Sequence, residues 1–342
     1  MLSNPMLRLA LLAGAAIMAI GLGPHPACSD EPLPIAIGIQ SDNNWLIMTA
    51  RTEHLFEKAG LKPNFVKFTA GAPMMAAAQS QSIDVACLGL VPFIAGLGQG
   101  IPWVTIGLTP VDPNAEGIVV RKDAGIDKIA DLKGKKIGFF RASTAHYGLF
   151  MALDKNQVPI DRVTLLSLAP AQQLAAMRNK EIDAAEVWQP WIEKMILEAN
   201  GKLLAMEGDF GVHTADGTFA VRTDWLAKNR EAALRFMRGV MLAEAFLKKD
   251  PEPAIKTFAA ETGIDDKLSA QIYKDAPPPE VQRWIDPEYQ FSLVKGGALQ
   301  RELATLADFL FREKVIPAQV DVDNVLDDSI VRDALNSDAR QK

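Results

Sequence analysis

Lys136–Leu153 reads KIGFFRASTAHYGLFMAL. Ile137, Phe139 and Phe140 form an apolar β run, Ser143 is a natural N-cap, and Tyr147, Phe150, Met151 and Leu153 recur at helical spacing. The stretch therefore predicts a strand running straight into a helix. That junction aims unpaired backbone N–H groups, the positive end of a helix dipole and the hydroxyls of Ser143 and Thr144 at one point, a seat for an anion. A Ser cap alone also suits helices that bind nothing, so the flanking sequence has to decide between the two.

Upstream, Pro34–Gln40 is a short apolar β run, Asp42–Asn44 a capping cluster, and Trp45 to Ala59 a helix ended by Gly60. Strands at Asn64–Phe68, Ile83–Cys87 and Pro102–Leu108 alternate with helices opening at Gly71 and Leu90. This is an α/β pattern with crossover connections and sites at the strand C-terminal ends. The residues after Gln40, the FTAGAP turn and the CLGLVP turn should face one crevice. A second unit follows, with strands at Lys136–Phe140, Val163–Ser167 and Asp183–Val187 and helices after Ser143, at Ala169–Asn179 and from Pro190 to Ala199. Gly117–Arg121 (GIVVR) and Phe219–Arg222 (FAVR) share a pattern and are expected as two hinge strands. From Asp224 the chain reads as almost all helix, with Asp224–Asp250, Pro253–Thr262, Asp266–Asp275 and Leu299–Glu313, a loop at Pro277–Pro279 and a polar tail at Asn336–Lys342. Two lobes are expected, 30–118 with 220–342 and 119–219, because about 310 residues exceed what one core usually fills.

Residues 1–29 have the layout of a secretory signal: Arg8, the apolar run Leu9–Leu22, then Gly23, Pro24 and Pro26. Ala27 and Ser29 suit cleavage before Asp30, with acylation of Cys28 the less favoured route. Export to the periplasm is expected. Loss of Arg8 leaves 42 acidic against 35 basic residues, a formal charge of −7, which argues against nucleic acid as a partner. Cys87 is then the only cysteine, so no internal disulfide forms, and His54, His146 and His213 have no metal-ligand spacing. No G-x-S-x-G, H-E-x-x-H or Walker loop is present. An enzyme would have to rest on His146 beside Glu116 or Glu186. Neither a metal nor another cofactor is expected.

Ala185–Ile192 (AEVWQPWI) ends a strand and starts a helix at Pro190, putting Trp188 on the connecting turn. Trp188 and Trp191 could equally be core. If Trp188 walls a crevice, its face excludes water and attracts an ammonium group by about 0.5–2 kcal/mol, with Trp45 as the opposite wall. Glu116 and Asp216 each precede an expected hinge strand. Facing the crevice, they would set a carboxylate against the Ser143–Thr144 seat, a pocket suited to a small zwitterion.

With these pieces the chain resembles the periplasmic taurine and alkanesulfonate binding proteins of ABC importers, and among them the taurine-binding branch. The resemblance covers essentially all the mature chain and is carried by STAHYGLFMAL, the VWQP turn, the DVACLGLVP turn and Glu116. It implies a type II periplasmic binding protein, two lobes joined by two hinge strands with a helical C-terminal segment. It also implies a monomeric, non-catalytic receptor that hands taurine or a related sulfonate to a membrane permease and its ATPase. By the same resemblance Ser143, Thr144, His146 and Tyr147 line the ligand cleft, Trp188 is a wall and Glu116 meets the amine. Leu90 and Val91, and Ala72 and Pro73, stand where that family offers small polar residues, and Glu186 adds a carboxylate before Val187–Trp188. The same scaffold serves other alkanesulfonates, sulfate esters, nitrate and pyrimidine precursors, and also ligand sensors and enzymes.

Overall fold

The computed structural model describes residues 31–109, 115–212 and 217–339. The expected signal segment, Cys28, His213 and Asp216 lie outside the described residues. The strands are β1 (Leu33–Gln40), β2 (Leu61–Phe68), β3 (Val85–Leu88), β4 (Trp103–Leu108), β5 (Glu116–Arg121), β6 (Lys136–Phe139), β7 (Thr164–Ser167), β8 (Ala184–Trp188), β9 (Gly201–Met206) and β10 (Thr218–Arg222). They form two five-stranded sheets, ordered β2-β1-β3-β10-β4 and β7-β6-β8-β5-β9. Each sheet has a parallel trio, β2-β1-β3 in the first and β7-β6-β8 in the second, and one antiparallel guest, β10 or β5. β3, β4 and β10 are buried throughout, because helices cover both faces of the first sheet, and so they read as unbroken apolar runs.

GIVVR and FAVR are therefore not free hinges. β5 pairs with β8 and β9, and β10 pairs with β3 and β4. The chain changes sheets ahead of them, between Leu108 and Glu116 and again between Met206 and Thr218, earlier than the sequence pattern suggests.

The helices of the first half are α1 (Trp45–Thr52), α2 (Leu55–Lys58), α3 (Gly71–Gln79) and α4 (Leu90–Gly98). Those of the second are α5 (Thr144–Lys155), α6 (Pro170–Arg178) and α7 (Trp191–Glu198). The C-terminal part adds α8 (Thr223–Lys228), α9 (Arg230–Lys249), α10 (Glu252–Thr262), α11 (Asp266–Asp275), α12 (Ala298–Arg312) and α13 (Ser329–Ala339). The expected continuous helix from Asp224 breaks at Asn229, whose side-chain amide caps the Trp225 carbonyl at 2.9 Å. The expected polar tail is helical through Ala339. Among the described residues no helix is long and apolar enough to cross a membrane.

In the second sheet alternate residues of β5 feed separate cores. Ile118 and Val120 pack with Leu149 and Leu153 of α5, while Val119 packs with Ile192 and Met195 of α7. Residues in register with Ile118 and Glu116 therefore lie on the α5 side, which fixes where the charged members of β5 and β8 point.

Candidate functional site

A cleft of about 530 Å³, counting its open mouth, lies where the two sheets meet. Four helix starts converge on it: Asn43 and Asn44 at α1, Gly71 at α3, Gly89 at α4, and Ser143 and Thr144 at α5. These are the three turns expected to share a crevice, together with the Ser143 junction. Each start contributes N–H groups that have no partner one turn back and a share of positive dipole, about 0.3–1 kcal/mol toward an anion and up to about 2 when partly buried.

Side chains add to this. Asn44 caps α1 through Oδ1, accepting from the Ile47 N–H at 3.3 Å, so its Nδ2 turns away. The buried Nδ2 atoms of Asn43 and Asn44 and the indole N–H of Trp188 have no hydrogen-bond partner among the described residues. An unmet buried donor costs about 1–3 kcal/mol, so three on or near one wall point to an acceptor-rich guest. Two carboxyl groups line the cleft, Asp42 and Glu116, and no Lys, Arg or His lines it among the described residues. Burial pushes Asp42 up to about 6 against hydrogen bonds with Gln40 and the Asn44 N–H, and pushes Glu116 up to about 7 against hydrogen bonds with Thr144 and Glu207.

Of the nine residues singled out from the sequence, Glu116, Ser143, Thr144 and Trp188 line the cleft. The hydroxyls of Ser143 and Thr144 do not form the expected seat. Ser143 Oγ donates to the Phe140 carbonyl at 2.7 Å and accepts from the His146 N–H at 3.2 Å, and the Thr144 hydroxyl donates to Glu116. What remains free at that corner is the backbone at the start of α5. Trp45 is not a wall. It is fully buried, with its indole N–H on the Ala276 carbonyl at 2.9 Å and its ring against Phe258 and Tyr273.

His146 and Tyr147 also turn from the cleft, toward Phe309 of α12, at ring distances of 5.3 and 5.0 Å. Burial, helped by the charge of Arg141, holds His146 down to about 4, so it is a neutral packing residue. The residue on which an enzyme reading rested therefore stands off the cleft. Glu186 lies behind the wall, fully buried, and burial with Glu116 beside it raises its carboxyl well above the usual range. Sequence reasoning places the Asp42–Asn44 turn at the crevice but reads it only as a helix cap. It passes over Gln40, Thr109 and Glu207, which nothing local marks.

Residues 29–262 match the NMT1-like family. The chain is 28% identical to a putative aliphatic sulfonates-binding protein of Bacillus subtilis (strain 168), over 96% of each chain. It is 30% identical to the taurine-binding periplasmic protein of Escherichia coli (strain K12), over 79% of this chain and 83% of that one. Among solved structures, the alkanesulfonate-binding protein SsuA from Xanthomonas axonopodis pv. citri bound to MOPS superposes with a TM-score of 0.72 at 26% identity, covering 89% of this chain and 98% of that chain.

Proposed function

This chain belongs to the NMT1-like family, and from that premise we propose that it is the periplasmic solute receptor of an ABC importer for small aliphatic sulfonates, taurine among them. The observation that carries the reading is the meeting of four helix starts and three unmet buried donors around one cleft, which Glu116 also lines. A sulfonate has three acceptor oxygens and a charge that survives at any physiological pH. Helix ends and N–H donors can neutralise it without a basic side chain. Relatives named for sulfonates and taurine support the same class.

In this reading Trp188 covers the carbon chain, Glu116 meets an amine where the ligand has one, and the lobes close over both ends before docking on the permease. Taurine has about seven heavy atoms, so at about 1.5 kcal/mol per atom its affinity is bounded near tens of nanomolar. No chemical step on the ligand is assigned, and the chain acts as a monomer. Asp42, between β1 and α1, lines the cleft from the side of the first sheet, and Glu116, at the start of β5, from the side of the second.

The two carboxyl groups and the absence of a cation on the described wall favour one rival, a quaternary ammonium ligand. A thermal-shift panel of taurine, a longer alkanesulfonate, a sulfate ester, nitrate and a quaternary ammonium separates the two. A ligand at about 100 times its Kd adds about 2.7 kcal/mol, a shift of a few degrees. A shift with the quaternary ammonium and with no sulfonate would overturn the reading.

A further inference from the structure

Glu116 is the cleft-facing member of three buried glutamates drawn from three elements: Glu116 on β5, Glu186 on β8, and Glu207 at the head of the 3₁₀ turn Glu207–Phe210. Register fixes the first two. Glu116 stands opposite Trp188 and Ile118 opposite Glu186, so all four side chains share the α5 face of the sheet. Gly148 of α5 leaves room for the carboxyls: a Cβ there would lie 1.6 Å from Glu207 Oε1 and 3.2 Å from Glu186 Oε1. Glu116 accepts from the Thr144 hydroxyl and is hydrogen-bonded to Glu207. A hydrogen bond between two carboxyl groups exists only while one of them holds a proton.

The Glu116 Oε2 and both Glu186 oxygens have no partner among the described residues, nor does an ion pair reach either residue there. The groups that face Glu116 are Glu186, Glu207 and Thr144. Tyr147, also on α5, feels the charge of Glu207, and Asp42, held by Gln40 and Asn44, is the other carboxyl on the cleft wall.

We propose that this group is a proton store that sorts ligands by charge: a sulfonate bearing an ammonium expels the Glu116 proton to solvent as it binds, whereas a sulfonate without an amine leaves that proton in place or draws one in. The inference rests on the sulfonate reading above and deepens it. Burial already holds Glu116 near neutrality, so the exchange falls in the physiological range. The signs are opposite for the two ligands. An ammonium favours ionised Glu116, so affinity for the amine is highest above about pH 7 and falls as the pH drops, by up to about tenfold per pH unit for a whole proton. The plain sulfonate adds a negative charge to the same wall, and its affinity falls as the pH rises.

The test is titration calorimetry of the purified chain with 2-aminoethanesulfonate and with ethanesulfonate, from about pH 5.5 to 8, in two buffers of different ionisation enthalpy. Expected are proton release for the amine, none or uptake for ethanesulfonate, and affinities with opposite pH slopes. Glu116→Gln should weaken the amine and flatten both slopes. Equal proton counts for the two ligands, failure of the amine to bind where ethanesulfonate does, or slopes that persist in Glu116→Gln and so belong to Asp42 overturn the proposal and leave the sulfonate reading standing. Absence of binding heat for both ligands at every pH overturns the sulfonate reading, and this proposal with it.

Discussion

Ser143 is the N-cap of α5. It stands on the cleft wall at the start of α5, yet its hydroxyl is occupied on both sides by Phe140 and His146. Ser143→Ala should therefore cost about 0.5–2 kcal/mol of stability in chemical denaturation and leave ligand affinity unchanged. A large loss of affinity at unchanged stability would return the hydroxyl to the ligand. The buried titratable residues predict an acid–base profile for the unliganded chain. Glu116 is raised from the ordinary 4.5 to about 7, so its contribution is present below 4.5 and is lost as the pH climbs to 7. His146 is lowered from 6.5 to about 4, so its contribution is present above 6.5 and is lost as the pH falls toward 4. Burial raises Asp42 to about 6 and Glu186 well above the usual range in the same sense, so the carboxyls outweigh His146 and the melting temperature should fall as the pH climbs from about 4.5 to 7. Glu116→Gln should raise stability more near pH 7 than near pH 4.5, by on the order of 1–3 kcal/mol, and an equal rise at both would refute the assignment. What the sequence could not disclose at this scale is direction. A Trp, a His or a Glu is legible as a candidate, but Trp45 and Trp188 part company only once α10 and α11 close over one of them.

At the scale of elements, periodicity carried most of the fold. The strand-to-helix junction at Ser143 formed as its apolar spacing required, and the alternating strands and helices of both halves built parallel trios. The likeness of GIVVR to FAVR has a structural meaning: both occupy the antiparallel slot between the trio and the last strand of their sheets. β9 escaped notice because it is an edge strand whose apolar residues run consecutively, Leu203 being 40% exposed while Leu204 packs against the core beside α5. α5 supplies the prediction here. Glycine inside a helix normally costs about 1 kcal/mol against alanine, so Gly148→Ala would ordinarily stabilise. Here the new methyl would meet the Glu207 carboxyl at 1.6 Å, and we expect a lower melting temperature and weaker binding of an amine-bearing ligand. A stabilised variant with unchanged binding would show that the niche is slack.

Across the whole molecule, α12 joins what the two chain passages already connect. Its Phe309 is buried against His146, Tyr147 and Phe150 of α5, and the Arg141 guanidinium caps its end through the Glu313 and Lys314 carbonyls, each at 3.1 Å. Phe309→Ala should cost about 3–5 kcal/mol and raise the radius of gyration of the unliganded chain in small-angle scattering, because a ring that touches both halves is lost. Lower stability at an unchanged radius would make the ring ordinary core. The placement of β10 bears on how such a chain is made. The strands of the second sheet run unbroken from Glu116 to Met206, whereas the first sheet holds an open slot between β3 and β4 until Thr218–Arg222 arrives. A chain emerging from a ribosome or a translocation pore can thus complete its second sheet while the first is still missing a central strand, so the inner half is free to fold first and the outer half must wait for it.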